Sequence, residues 1–215
     1  MLISLLLQNP LFFVLMALGF AVCITVHEFS HVFSAYLQGD TTGKDAGRLT
    51  LNPLAHLDPI GSLALLFLPF GWGRPAPYNP YHLRNPRFGP LLVALAGPFS
   101  NLVLVFVFGV ALHALYPILG QDNFLTIFLQ ILVTLNALLM IFNLLPIPPL
   151  DGSMIIQALF ARQFPQLVEN LFRYGPNVLF GLILLSWVMH IPLFSFVFEP
   201  ILQLVRQLVG VPLPF

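Results

Sequence analysis

Long apolar runs dominate the chain, separated by short polar or proline-rich stretches, and the length of each run sets an expectation. The first run follows Asn9-Pro10, a capping side chain with proline at the first helical position, and stops before Gly39. It predicts a helix over 10–38. At about 1.5 Å per residue such a helix crosses a hydrocarbon core of about 30 Å with tilt. Similar runs predict helices over 90–116, 123–145 and 166–190, and shorter pieces predict helices over 151–161 and 194–209. "IGSLALLFLPF", 60–70, is apolar but, at roughly 11 residues, too short for a plain span. It is expected to be re-entrant or an abbreviated helix. The stretch "GWGRPAPYNPYHLRNPRFGP" reads as a loop with room for a short β element over 71–86, whose edge would suit an extended peptide. The expected fold is an all-α polytopic membrane protein of about five to six transmembrane or re-entrant helices, a single domain over 1–215.

Composition agrees with that pattern. The 215 residues are 58% hydrophobic and 7% charged, against roughly 25% charged in soluble domains. So little charge cannot cover a globular surface, so the solvent is expected to be a lipid bilayer. Eight basic and eight acidic residues cancel, which gives no reason to expect a nucleic-acid partner. Cys23 is the only cysteine, so no intramolecular disulfide forms. No basic segment precedes the first helix, which is therefore expected to be a span and not a signal peptide. Lys44, Arg48, Arg74, Arg84, Arg87, Arg162 and Arg173 all fall within 39–90 or 146–175. If 60–70 does not cross, these regions share one face, and positive charge marks it as cytoplasmic, with the N-terminus outside.

The chemistry sits in "HEFSH", 27–31, inside the first predicted span. Ionisable side chains at that depth are costly and mark function. His27 and His31 are four apart, so their rings leave one face of a helix, one above the other. That is the geometry for sharing a zinc ion, and H-E-x-x-H on a helix is a zinc-hydrolase pattern. Glu28 lies about 100° round the helix from His27, placed to act beside a metal and not to ligate it.

A catalytic zinc needs a third protein ligand. Asp40, Asp45, Asp58, Asp122, Glu169 and Glu199 are available, but Asp151 stands apart because it ends "NLLPIPPLDG", 143–152. Pro146, Pro148 and Pro149 stop the preceding helix, and unwound backbone near membrane depth needs protein or a wet cavity around it. Asp151 there suits a metal, and it also suits the N-cap of the following helix. Depth supports the grouping. His31 is about eight residues, roughly 12 Å, from its helix end, and Gly97-Pro98 in "ALAGPFSN" is about seven residues, roughly 10 Å, inside the next span from the same face. Gly97 permits close backbone approach. Asn101, one turn on, suits either a clasp between helices or a substrate contact. Cys23 reads as core, and His56 as structural or a loop contact near the site.

"HEFSH", "ALAGPFSN" and "NLLPIPPLDG", in that order, resemble the three motifs of the site-2 protease family of intramembrane zinc metalloproteases. "LNPLAHLDPIGSL" and "FGWGRPAPYNPYHLRNPR" resemble its small prokaryotic members, and the resemblance covers about 10–175. It implies one zinc held by His27, His31 and Asp151, with Glu28 as catalytic acid and base. It implies a membrane-anchored protein substrate and a multi-pass location in a prokaryotic plasma membrane. Asn143 matches an asparagine found near the active site in that family. PDZ or CBS domains, frequent in the family, are not expected within these 215 residues. The competing reading is a membrane zinc protein without protease activity: a transporter, a sensor or a scaffold that binds transmembrane segments.

Overall fold

Asn9 caps the helix that carries both histidines, its side-chain oxygen accepting from the Phe12 N–H at 3.1 Å, with Pro10 in the first turn. The computed structural model describes residues 2–67 and 71–213. In chain order it contains α1 (Leu2–Gln8), α2 (Pro10–Leu37), α3 (Thr42–Asp45), α4 (Pro53–His56), α5 (Pro59–Phe67), a 3₁₀ turn (Pro80–His82), α6 (Gly89–Leu119), α7 (Phe124–Asn143), α8 (Ser153–Phe160), α9 (Pro165–Met189) and α10 (Ser195–Val209). The six helices expected over 10–38, 90–116, 123–145, 151–161, 166–190 and 194–209 are all present, with ends displaced by up to three residues. α1 was not expected. Asn9-Pro10 separates it from α2 without redirecting the backbone bonding, since the Asn9 carbonyl still accepts from the Phe13 N–H.

Among the described residues four helices, α2, α6, α7 and α9, are long and apolar enough to cross a membrane. α2, α6 and α7 pack against one another to form the centre of the bundle. Leu112, Ile131, Val133 and Ala137 are fully buried there. Large apolar side chains also point outward, including Phe99, Phe106 and Ile118 on α6. In water that pattern would be costly, and in lipid it is what a span presents. Association then rests on close packing more than on the hydrophobic effect.

α5 is a helix of nine residues, about 13 Å long. Leu57 and Gly73, on either side of it, form an antiparallel bridge, and the Arg74 N–H donates to the His56 carbonyl at 2.7 Å. The Gly61 backbone abuts that of Trp72. The segments flanking α5 therefore meet at one end, an arrangement compatible with either a re-entrant element or an abbreviated helix. Residues 68–70 of the run predicted at 60–70 lie outside the described residues. Among the described residues no strand forms over 71–86. The β element expected there is reduced to the single bridge, because prolines at 75, 77 and 80 remove the donors a ladder needs.

Asp40 fastens this loop to the end of α2. Its buried carboxylate accepts from the Thr42 hydroxyl (2.6 Å), the Thr42 N–H (3.1 Å) and the Asn79 N–H (2.8 Å), and pairs with His82 at 3.3 Å. Burial alone would raise its pKa, but these donors together hold it below the usual carboxylate value. Its stabilising effect is present above about pH 4 and is lost as pH falls through the lowered native pKa.

Because 57 and 73 meet at one end, residues 39–90 should lie on one side of the membrane. Single cysteines at Lys44 and Arg84, in a Cys23→Ala background, should react with an impermeant thiol reagent from the same face. Labelling from opposite faces would make α5 part of a true crossing.

Candidate metal centre

α2 sets His27 and His31 one turn apart with ring centroids 4.6 Å apart and rings nearly perpendicular. Each imidazole is held from behind by a neighbouring helix. His31 Nδ1 lies 2.7 Å from the Val93 carbonyl on α6. A carbonyl only accepts, so that nitrogen carries the proton. His27 Nδ1 lies 2.6 Å from Asn101 Oδ1. The Asn101 amide donates onward to Asn136 Oδ1 on α7 at 2.7 Å, and the Asn136 amide donates to the Leu132 carbonyl at 2.8 Å and to Cys23 Sγ at 3.0 Å. This chain of bonds assigns the Asn101 oxygen to His27, so His27 also donates through Nδ1.

A neutral imidazole has one N–H, so both Nε2 atoms present lone pairs. These two atoms are 3.0 Å apart. Asp151 Oδ2 lies 3.3 Å from the first and 3.5 Å from the second, and accepts no hydrogen bond of its own. Three acceptors converge with no donor between them among the described residues, an arrangement that a cation would satisfy. Atoms bound to one tetrahedral zinc at about 2.0–2.1 Å lie about 3.3 Å from each other. The observed spacings match that edge. Two imidazoles and a carboxylate are a donor set that suits zinc.

The third donor arrives through the proline-rich turn. Prolines at 146, 148 and 149 end α7, and the Pro148–Pro149 peptide is cis. The loop then closes on itself, the Gly152 N–H donating to the Asn143 carbonyl at 2.7 Å. A Cβ at Gly152 would overlap the Leu144 main chain, so only glycine lets the turn bring Asp151 back to the bundle. Asp151 does not cap α8. Gly152 occupies the N-cap position without a side-chain bond, and the carboxylate faces the histidines instead. Gly97 has a comparable role on α6, where a Cβ would overlap both imidazoles.

Of the residues singled out in the sequence, His27, His31, Asp151, Gly97 and Asn101 meet at one place. Asn101 takes the clasp role, directed at His27. Asn143 contributes its main chain, since its amide donates to the Leu139 carbonyl of its own helix at 3.0 Å. Glu28 Oε2 is buried without a hydrogen-bond partner. Asn136 and Val93 were not anticipated. A lone amide within "LVTLNALLM" was a signal for Asn136, because a buried amide must find partners. The Val93 carbonyl is main chain and leaves no trace in the sequence.

Fold and site together define a helical membrane protein with a cluster of three side chains, set between its helices, that could hold a metal ion. The sequence model of peptidase family M50 matches residues 118–186, a stretch that includes Asp151 but not the histidine pair. Over 148 residues the chain is 45% identical to a Bacillus subtilis (strain 168) protein named "Putative zinc metalloprotease YwhC", covering 64% of this chain and 65% of that one. "Putative zinc metalloprotease Rip2" of Mycolicibacterium smegmatis is 36% identical over 148 residues, and its Mycobacterium tuberculosis (strain ATCC 25618 / H37Rv) namesake is 34% identical over 146. The matches cover 65% of this chain and 55% of each mycobacterial protein. No solved structure matches. The chain is thus similar, over part of its length, to peptidase family M50 and to proteins named as putative zinc metalloproteases, and it spans less than two thirds of the length of each of these relatives.

Removing a group that orients a metal-binding histidine costs about 10–100-fold in metal affinity. Asn101→Ala should therefore weaken zinc by that factor in competition with a chelator. Asn143→Ala, which loses only a bond within its own helix, should stay close to wild type. The reverse order would show that Asn101 does not hold His27 in the folded protein.

Proposed function

We propose that this chain is an intramembrane zinc metalloprotease that hydrolyses a peptide bond in or near a transmembrane segment of a membrane-anchored protein. The observation that carries this reading is Glu28, a half-buried carboxylate whose Oε2 is shielded from solvent and has no hydrogen-bond partner, on the helix turn that supplies two of three converging metal donors. A structural glutamate at that depth would be expected to have a partner. One that receives a proton during reaction needs an accessible lone pair.

Zinc held by His27, His31 and Asp151 would supply Lewis-acid chemistry, acidifying water and polarising a peptide carbonyl. Glu28 accepts the proton of the attacking water on its carboxylate and returns it to the nitrogen of the leaving amine. Asn101 and the Val93 carbonyl keep the imidazoles in the tautomer that directs Nε2 inward. A helical substrate conceals its carbonyls in its own hydrogen bonds, so the segment to be cut must unwind before it reaches the site. The bacterial sources of the relatives and the basic residues of 39–90 support a prokaryotic plasma membrane, with the site near the cytoplasmic face and the N-terminus outside.

The transporter reading has less support. A transported ion needs donors at successive depths. Among the described residues His27, His31 and Asp151 form the one cluster of three metal-donor side chains. His113 and His190 lie against the carbonyls of Val209 and Val188.

Glu28→Gln separates the possibilities. The amide keeps the side-chain volume but accepts no proton, so zinc should remain bound while cleavage of a membrane-embedded reporter falls by about 10²–10⁴-fold. Near-normal cleavage by the zinc-loaded variant would refute Glu28 as the base. A wild type that binds zinc and cuts nothing would favour the scaffold.

A further inference from the structure

A second polar feature lies away from the metal centre. Between the start of α6 and α8 is a groove of about 360 Å³, within the range that encloses a small ligand group. Arg87 and Arg162 stand along it, both exposed. Leu91, Met154, Ala158 and Pro90 supply an apolar wall. The Arg87 guanidinium is laid over the Phe88 ring at 4.8 Å, which restrains it.

We propose that this groove binds an anionic phospholipid, with the phosphate between Arg87 and Arg162 and the upper part of an acyl chain along the apolar wall. Three observations favour lipid over other anions. The arginines sit where spans begin, two residues before α6 and three before α9, which is head-group level for helices of this length. The proline, leucine, methionine and alanine of the wall suit an acyl chain, and apart from the two arginines Gln157 is the one polar side chain in the lining. The neighbouring Leu92, Phe160 and Phe164 are exposed, so the groove is flanked by surface that already suits lipid. Charge complementarity selects an anionic head group, because two guanidinium groups beside a zwitterion would leave net positive charge uncompensated.

The position gives the lipid a consequence. α8 begins two residues after Asp151, and α6 carries Gly97 and Asn101. A molecule that bridges α8 and α6 holds the third metal donor against the helix that braces the other two. This coupling concerns metal retention and does not require that the protein be a protease.

The test uses the full chain purified in detergent, with native mass spectrometry reading lipid bound and the midpoint of thermal unfolding reading its effect. Phosphatidylglycerol should bind wild type about 30-fold more tightly than phosphatidylcholine, as expected if each arginine near a membrane surface contributes equally. Arg87→Gln/Arg162→Gln should abolish the preference. Arg87→Lys/Arg162→Lys should keep most of it, which separates loss of charge from loss of fold. Arg84→Gln, an exposed arginine of the same loop outside the groove, should behave as wild type. Retention of the preference in the double glutamine variant, or its loss in Arg84→Gln, would overturn the site. Displacement of the lipid by inorganic phosphate at matched concentration would make it a free-anion site. Displacement by an acidic peptide would make it a docking site for a protein tail. Either outcome would contradict a lipid.

Discussion

Two imidazole lone pairs and a carboxylate oxygen face one another within 3.5 Å, in a part of the protein where the histidines are almost fully buried. Among the described residues nothing donates to the Asp151 oxygen in that space. A cation there would relieve the repulsion, and the surrounding structure keeps the three acceptors aimed at one point. Both outer ring nitrogens are engaged, one by a carbonyl and one by an amide that is itself held by a second amide. Those bonds fix the tautomers, and the tautomers fix which nitrogen is free.

The bilayer explains the form this takes. Lipid offers no hydrogen bonds, so each polar group at depth must be satisfied by protein. The run from Cys23 through Asn136 and Asn101 to His27 crosses three helices and joins α2, α6 and α7 at the level of the site. Close approach is the other requirement, and it is met at Gly97, where α6 comes so near the histidines that no side chain fits. The proline-rich turn after α7 solves the remaining problem, delivering a carboxylate from a third segment. Its closure through Gly152 and Asn143 makes Asp151 part of a small rigid loop.

Much of this was legible in the sequence because lipid imposes strong rules. Span length, the Asn9-Pro10 start and the Gly39 stop set α2 closely, and spacing alone put His27 and His31 on one face. Asp151 could be distinguished because three prolines around it break a helix where breaking is costly. What could not be read were contacts that depend on the relative rotation of helices. Asn101 was ambiguous until α6 was seen to turn it towards His27. Asn143 drew attention as a side chain but acts through its carbonyl, and Val93 acts through a carbonyl that any residue would supply. The expected β element failed because its prolines outweigh its extended character. α1 was missed because it is short and adjoins α2 across a single capping residue.

The central claim is that His27, His31 and Asp151 together hold one zinc ion. X-ray absorption at the zinc edge, on the purified full chain loaded with one equivalent, tests it most directly. Zinc on these three ligands should show a shell of nitrogen and oxygen at about 2.0–2.1 Å, with the outer scattering of two imidazoles and no sulfur. A sulfur shell at about 2.3 Å would bring Cys23 into the site, and an all-oxygen shell without imidazole would place the metal elsewhere. Either result would contradict the account.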